Sequence, residues 1–359
     1  MFGSWVTRIP DVQNALELTK SQLGLALLGI SIGALTLMPF TSWLMIRFTM
    51  GKVVFVTGFL SCIVMLLPVA APSFIWLIVA GVFVGTMSGI LDVAMNAAAT
   101  AIEERDKVVI MSTCHGMFSL GGMIGALSGS LMAGLGVTPL LHLSVMCVLM
   151  VILVFYLQPE LLNLPESETE EDTIFVLPKG NLLIIAFIGF GIMLGEGAIA
   201  DWSAVYLKNT LLGSAYVAGL GFAGFSFAMA LGRFYGDGII PKWGAKPIVR
   251  WGSLLGVFGL LLAIFVPSIP VVIFGFTLVG LGFSCVVPIL FSAASRMPDV
   301  ASGTGIAAVT ASGMMGFLLG PPLIGFIADA YSLSVGLGLV GVLALLGFLL
   351  SNAIQWSGK

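Results

Sequence analysis

Asp92 and Asn96 stand four residues apart in the otherwise uncharged run Leu91-Asp92-Val93-Ala94-Met95-Asn96. On a helix that spacing puts both side chains on one face. A carboxyl group kept from water can take up and release a proton near neutral pH, which is the chemistry of a proton-coupled carrier. The structural alternative is a hydrogen bond between helices, with Asn96 as polar glue. His115 opens the run His115-Gly116-Met117-Phe118-Ser119-Leu120-Gly121-Gly122. Histidine titrates in the physiological range, so His115 is either a proton-coupling group or a gate at the membrane boundary. Glu196 and Asp201 share the run Glu196-Gly197-Ala198-Ile199-Ala200-Asp201-Trp202. Glu196 is deep enough in an apolar stretch to need a partner or water, and is a further proton-coupling candidate. Asp201 is a substrate ligand or a helix-end cap. Arg8 is the cation expected to neutralise Asp92, Glu196 or Asp201 in a substrate cavity, unless it snorkels to water. Trp5 and Trp202 either stack on a sugar ring or anchor helix ends at the interface. Arg233 and Asp237, at i, i+4 spacing, read as a conformational latch between helices. The sequence carries no phosphate loop, metal-ligand spacing or nucleophile–base arrangement. That argues against an ATP-driven pump and an intramembrane enzyme, and implies no cofactor.

The composition says what must position these groups. Charged residues are 9% of the chain, against about 25% in soluble domains. Hydrophobic residues are 59%, and the mean hydropathy is +1.14. No polar shell is available to cover such a core, so lipid is the solvent. The net charge of -3 leaves no nucleic-acid footprint. Cys62, Cys114, Cys147 and Cys285 lie in apolar stretches and read as packing residues.

A spanning helix needs about 20 mainly apolar residues. Eleven stretches qualify: 21–46, 53–71, 74–101, 111–135, 138–157, 181–200, 215–235, 247–266, 269–294, 303–328 and 334–354. In lipid only helices or closed barrels satisfy the backbone, and these runs are too long and too uniformly apolar for barrel strands of about 10 residues. The fold class is therefore all-α integral membrane. The longest polar interruption, 158–179, contains Glu166-Ser167-Glu168-Thr169-Glu170-Glu171-Asp172 and reads as a solvated linker. It divides the chain into 1–157 and 180–359.

Shifting the second part back by 195 positions aligns many residues with the first. Gly24 meets Gly219, Gly29 meets Gly224, Ser31 meets Ser226 and Arg47 meets Lys242. Pro72-Ser73 meets Pro267-Ser268, Gly85 meets Gly280, and Gly121 and Gly125 meet Gly316 and Gly320. The pattern is two parallel copies of a six-helix unit. Trp202 corresponds to Trp5, yet only four residues precede Trp5. Residues 1–9 thus read as the outer end of a first helix whose beginning is missing. The alternative is an eleven-span chain with an outside N-terminus. Gly121, Gly125 and Gly129, spaced by four, are expected to let helices approach closely, as are Gly316 and Gly320 beside Pro321-Pro322.

On a twelve-helix count the inner segments carry Arg47, Lys52, Arg105, Lys107, Lys179, Arg233, Lys242, Lys246, Arg250, Arg296 and Lys359. The outer segments carry Arg8, Lys20 and Lys208. By the positive-inside rule both termini are cytoplasmic.

Two parallel halves joined by a central linker resemble the major facilitator superfamily, over the whole chain. The segment Leu44-Met45-Ile46-Arg47-Phe48-Thr49-Met50-Gly51-Lys52 resembles that family's loop signature in degraded form. Ile46 stands where the family has aspartate, and the second copy, Ile240-Pro241-Lys242-Trp243-Gly244-Ala245-Lys246, is degraded as well. The resemblance implies a latch role for Arg47, with Asp237 as a partial substitute for the missing acid. Ser4-Trp5 with Arg8-Ile9-Pro10, Asp92 with Asn96, and His115-Gly116 with Ser119-Leu120-Gly121 resemble fucose-permease-like and uncharacterised bacterial inner-membrane permeases. In fucose permeases an acid four residues before an asparagine in the fourth span takes part in proton coupling, which the resemblance implies for Asp92. A second acid in their first span has no match here, so substrate identity does not carry over. The Gly-Pro motif of many antiporters is absent from the fifth span, and its near-match Gly320-Pro321 lies in the eleventh. That speaks against drug export. The resemblance implies a monomeric carrier in a bacterial inner membrane. It would move a small polar solute, a sugar or related metabolite, with protons by alternating access. Arg8, Trp5, Asn96, Asp201 and Trp202 would bind the solute. The competing readings are a proton-driven exporter of amphipathic compounds and a non-transporting membrane sensor.

Overall fold

The computed structural model of the chain describes residues 1–165, 178–297, 300 and 302–356, with the side chains of Asp237 and Ser302 outside the described set. The acidic run 166–172 lies outside the described residues. The first helix, α1, is Phe2–Ala15. The first half continues with α2 Lys20–Phe48, α3 Met50–Ala70, α4 Phe74–Asp106, α5 Met111–Gly134 and α6 Pro139–Tyr156. The second half runs through α7 Gly180–Thr210, α8 Leu220–Trp243, then α9 Ala245–Phe265, α10 Ile269–Ser295, α11 Gly303–Ala330 and α12 Leu333–Leu350. Among the described residues, 11 helices are long and apolar enough to cross a membrane, one for each expected stretch. The first helix does not stop at Ile9 but continues through Pro10 to Ala15; an interior proline costs a hydrogen bond and a clash with the preceding turn, which the helices packed round a membrane helix can offset.

Local sequence sets several helix starts. Thr19 and Gln22 form a reciprocal capping box at α2. Ser73, Thr138 and Ser332 each accept a first-turn N–H of α4, α6 and α12. Within α2, Pro39 lies in a tighter turn at Met38–Phe40 that bends the helix.

The repeat is visible in the packing. A Cβ added to Gly85 of α4 would overlap the carbonyl oxygen of Ile30 on α2, and one added to Gly280 of α10 would overlap that of Phe225 on α8. Both partners differ by the same 195 positions. Gly29 and Gly224 repeat the pattern against Ile78 and Ile273. The turns after α2 and α8 also match: Thr49 has φ 75° and ψ 146°, Gly244 φ 83° and ψ 160°. Gly125 and Gly129 do allow α1 to approach α5 closely, against Ser4 and Thr7. Gly121 is a correction to the expected stripe, because a Cβ there would meet nothing within 4 Å.

Hydrogen bonds between the halves gather toward one end. The Asp329 carboxylate, at the end of α11, accepts the N–H groups of Lys20 (3.0 Å) and Ser21 (2.7 Å), capping α2 from the opposite half. Asn209 donates to Gln13 at 2.9 Å, Lys208 pairs with Asp11, and Ser130 accepts the Gly219 N–H at 3.0 Å. Loss of a capping side chain costs about 1 kcal/mol. Asp329→Ala is therefore expected to lower the melting temperature of the purified protein by a few degrees, and an unchanged melt would show that water replaces the cap at no cost.

Candidate functional site

α7 is ringed by α1, α8, α10, α11 and α12, so its polar residues face protein or the space between the halves. Glu196 lies near its middle. The Glu196 Oε2 is 3.6 Å from Arg233 Nη2 of α8. The same guanidinium donates from Nη1 to Ser119 Oγ at 2.9 Å and to the His115 carbonyl at 3.3 Å, both on α5. Gly116 makes room for this contact by letting the Phe234 ring close on α5. Glu196 Oε1 and Arg233 Nε are buried with no hydrogen-bond partner. Arg233 thus ties an acid of its own half to a hydroxyl and a carbonyl of the other. His115 contributes its carbonyl, and its ring is half-buried. The side chain of Asp237, the expected partner of Arg233, lies outside the described residues.

Five residues beyond Glu196, Asp201 is half-buried, while every other residue from Gly197 to Leu207 is buried. Phe317 of α11 packs over Gly197, one turn below Asp201, and its carbonyl accepts from Ser31 of α2 at 3.1 Å.

Asp92 is exposed rather than withdrawn among helices, with Asn96 one turn on and within reach of its carboxyl. It continues the α4 stripe on which Gly81 and Gly85 pack against α2. Just before it on that stripe, Gly89 packs against Ala34 and Met38 at the bend of α2, and Phe83 is exposed on the opposite face.

Arg8 corrects another expectation: it pairs with none of Asp92, Glu196 or Asp201. Its side chain is 2% exposed and donates to Asp11 Oδ2 (3.0 Å), the Val137 carbonyl (3.0 Å) and His142 Nδ1 (3.3 Å). Asp11, three residues on, and the start of α6 offer it nearer partners. As an acceptor from arginine, His142 is in its neutral form. Asp11 then reaches Lys208 of α7, so Arg8, Asp11 and Lys208 form one chain of charges across the halves. Trp5 and Trp202 are 2% and 0% exposed. They fill the core of interior helices, which overturns both interfacial anchoring and an exposed stacking face. Arg47 is exposed and stacks on Phe48, 5.6 Å from the ring centroid. Sequence reading missed Asp11, His142, Lys208 and Asp329. Only Asp11, at i, i+3 from Arg8, gave a local signal.

Twelve helices among the described residues, in two like halves and with charged groups shared between the halves inside an apolar bundle, define a membrane transporter. The chain belongs to the Major Facilitator Superfamily, whose family model matches residues 2–213 and 185–354. It is 38% identical over 343 residues to an uncharacterized MFS-type transporter of Yersinia pestis, covering 96% of this chain and 89% of that one. It is 32% identical over 339 residues to the membrane protein MosC of Rhizobium meliloti, covering 94% and 82%. Among solved structures, a bacterial homolog of the human lysosomal transporter Spinster, inward-facing and occupied, aligns with a TM-score of 0.74 at 15% identity, covering 100% of this chain and 96% of that one. A D-xylose-proton symporter aligns at 0.74 and 13% identity (100% and 95%). The E. coli fucose:proton symporter aligns at 0.59 and 14% identity (98% and 96%). The last three establish the fold.

Proposed function

We propose that this transporter moves a small polar solute across a bacterial inner membrane by alternating access, driven by protons, with 1–157 and 180–359 as the moving halves. The observation that carries this reading is the Glu196–Arg233 pair, held at once to Ser119 and the His115 carbonyl of the other half. An ion pair in a low-dielectric interior is strong, and protonating the acid removes the attraction. Proton uptake by Glu196 would therefore change how firmly Arg233 joins the halves. The polar contacts near Asp329, Asn209 and Lys208 close one end of the seam, which the charge bias of the sequence supports as the outer one. Asp92, on the opposite side of the bend in α2, would exchange protons with the inner solution. The xylose and fucose symporters among the structural neighbours support a polar solute.

The test is uptake into proteoliposomes containing the full chain. Under a gradient of about one pH unit, a solute moved with one proton accumulates ~tenfold. Glu196→Gln is expected to exchange the solute without accumulating it, and Asp92→Asn to show the same loss. Undiminished accumulation in both variants would remove the proton from the mechanism. If no sugar, nucleoside or amino sugar moves in the wild type, the small-polar-solute reading falls.

A further inference from the structure

We infer that the solute carries a cationic amino group and that Asp201 receives it; the inference rests on the transporter reading above. The other acids at the seam each have a partner. Asp11 is held by Arg8 and Lys208, Glu196 by Arg233, and Asp329 by two backbone N–H groups of α2. Asp201 has no hydrogen bond, ion pair or nearby cation among the described residues. A carboxylate so placed is costly until a counter-charge arrives.

The fold does not require an acid there. The offset of 195 positions matches Asp201 with Val6 of the first half. Val6 is uncharged and fully buried. One half thus carries an apolar residue at this position, and the other carries an unsatisfied charge.

The surroundings suit an ammonium group. Asp201 is the single opening along Gly197–Leu207, one turn from Gly197, which meets Phe317 where α11 is bonded to Ser31 of the other half. The Phe317 ring sits one turn away over Gly197, and a cation between carboxylate and ring gains both attractions. Ser31, bonded to the Phe317 carbonyl, adds a hydroxyl edge from the other half. An anionic solute would meet like charge at Asp201. The class that fits is a primary amine on a small hydroxylated body, such as an amino sugar or amino polyol.

The experiment is a thermal melt of the purified full chain in detergent with solutes matched in size and differing in charge. D-glucosamine, D-galactosamine and 3-amino-1,2-propanediol form the cationic set, with D-glucose, glycerol and D-glucuronate as neutral and acidic counterparts. A ligand of the folded state raises stability with its concentration. At least one amine is expected to raise the melting temperature by roughly 2 °C or more, its neutral and acidic counterparts not at all. Asp201→Asn should abolish the shift and Asp201→Glu keep part of it. If Asp201→Asn does not fold, the charge ranking in the wild type decides alone. A neutral or acidic solute that shifts the melt as well, or an amine shift that survives Asp201→Asn, overturns the inference and leaves the transporter reading standing. A wild type that no amine shifts also overturns it, and the gradient-driven uptake above then decides whether the transporter reading fell too.

Discussion

Arg233→Leu is expected to be among the most damaging single substitutions in this protein, for folding and for transport together. It strands Glu196, whose only cation among the described residues is Arg233 at 3.6 Å, and it deletes the hydrogen bonds to Ser119 and the His115 carbonyl that cross the halves. Breaking a buried ion pair from one side costs about 3–5 kcal/mol, because the remaining charge is left uncompensated. Against a total stability of roughly 5–15 kcal/mol, that is a large fraction. The pairing itself is testable by a double substitution. Arg233→Leu combined with Glu196→Gln leaves no stranded charge, so it should melt several degrees above Arg233→Leu alone. Proton-driven accumulation should be lost in both, since neither retains the charge pair. If the single variant melts with the wild type, Glu196 is solvated by other means and the pair has no structural weight.

Gly85→Leu is the second large effect, acting through shape rather than charge. Even a methyl group at Gly85 would overlap the Ile30 carbonyl oxygen, and a backbone oxygen inside a hydrogen-bonded helix cannot step aside. α4 and α2 would have to separate along their whole contact. Overpacking in a well-filled core costs about 1–3 kcal/mol, and more where neither side can yield. The expected result is a sharp fall in folded yield and melting temperature. Gly121→Ala is the control, since a Cβ there meets nothing within 4 Å and alanine is the better helix former. A folded, stable Gly85→Leu would mean that the two helices do not approach as closely as the structure shows.

Much of the fold was legible because lipid leaves so few options. Each apolar run had to be a helix, and the offset of 195 positions reappears in the contacts of Gly85 with Ile30 and Gly280 with Phe225. Depth was legible too: Glu196 and Asp201 stood out as acids inside a span. Facing was not. Hydropathy fixes how deep Trp5 and Trp202 lie but not which neighbour they meet, and both turned out to fill the core. Partnerships were least visible. Arg233 meets Ser119 across 114 positions, Arg8 meets His142 across 134, and Asp329 meets Lys20 across 309. No periodicity encodes such pairs; they arise when the halves assemble. The acid and its cation could each be suspected, but the bond between them belongs to the tertiary structure.

The matched turns at Thr49 and Gly244 carry a historical consequence. A φ near +80° with extended ψ is a shape that glycine adopts freely, whereas a β-branched residue there carries roughly 1–3 kcal/mol of strain. Gly244 sits in it without penalty and Thr49 does not, at φ 83° and 75° respectively. A duplicated ancestral segment would pass the same bend to both descendants, after which each could exchange side chains independently. The two copies hold different residues at the bend, one strained and one not, and the bend is the same. What the copies share is the path of the chain at the loop, held by the helices on either side, more than the amino acid that occupies it.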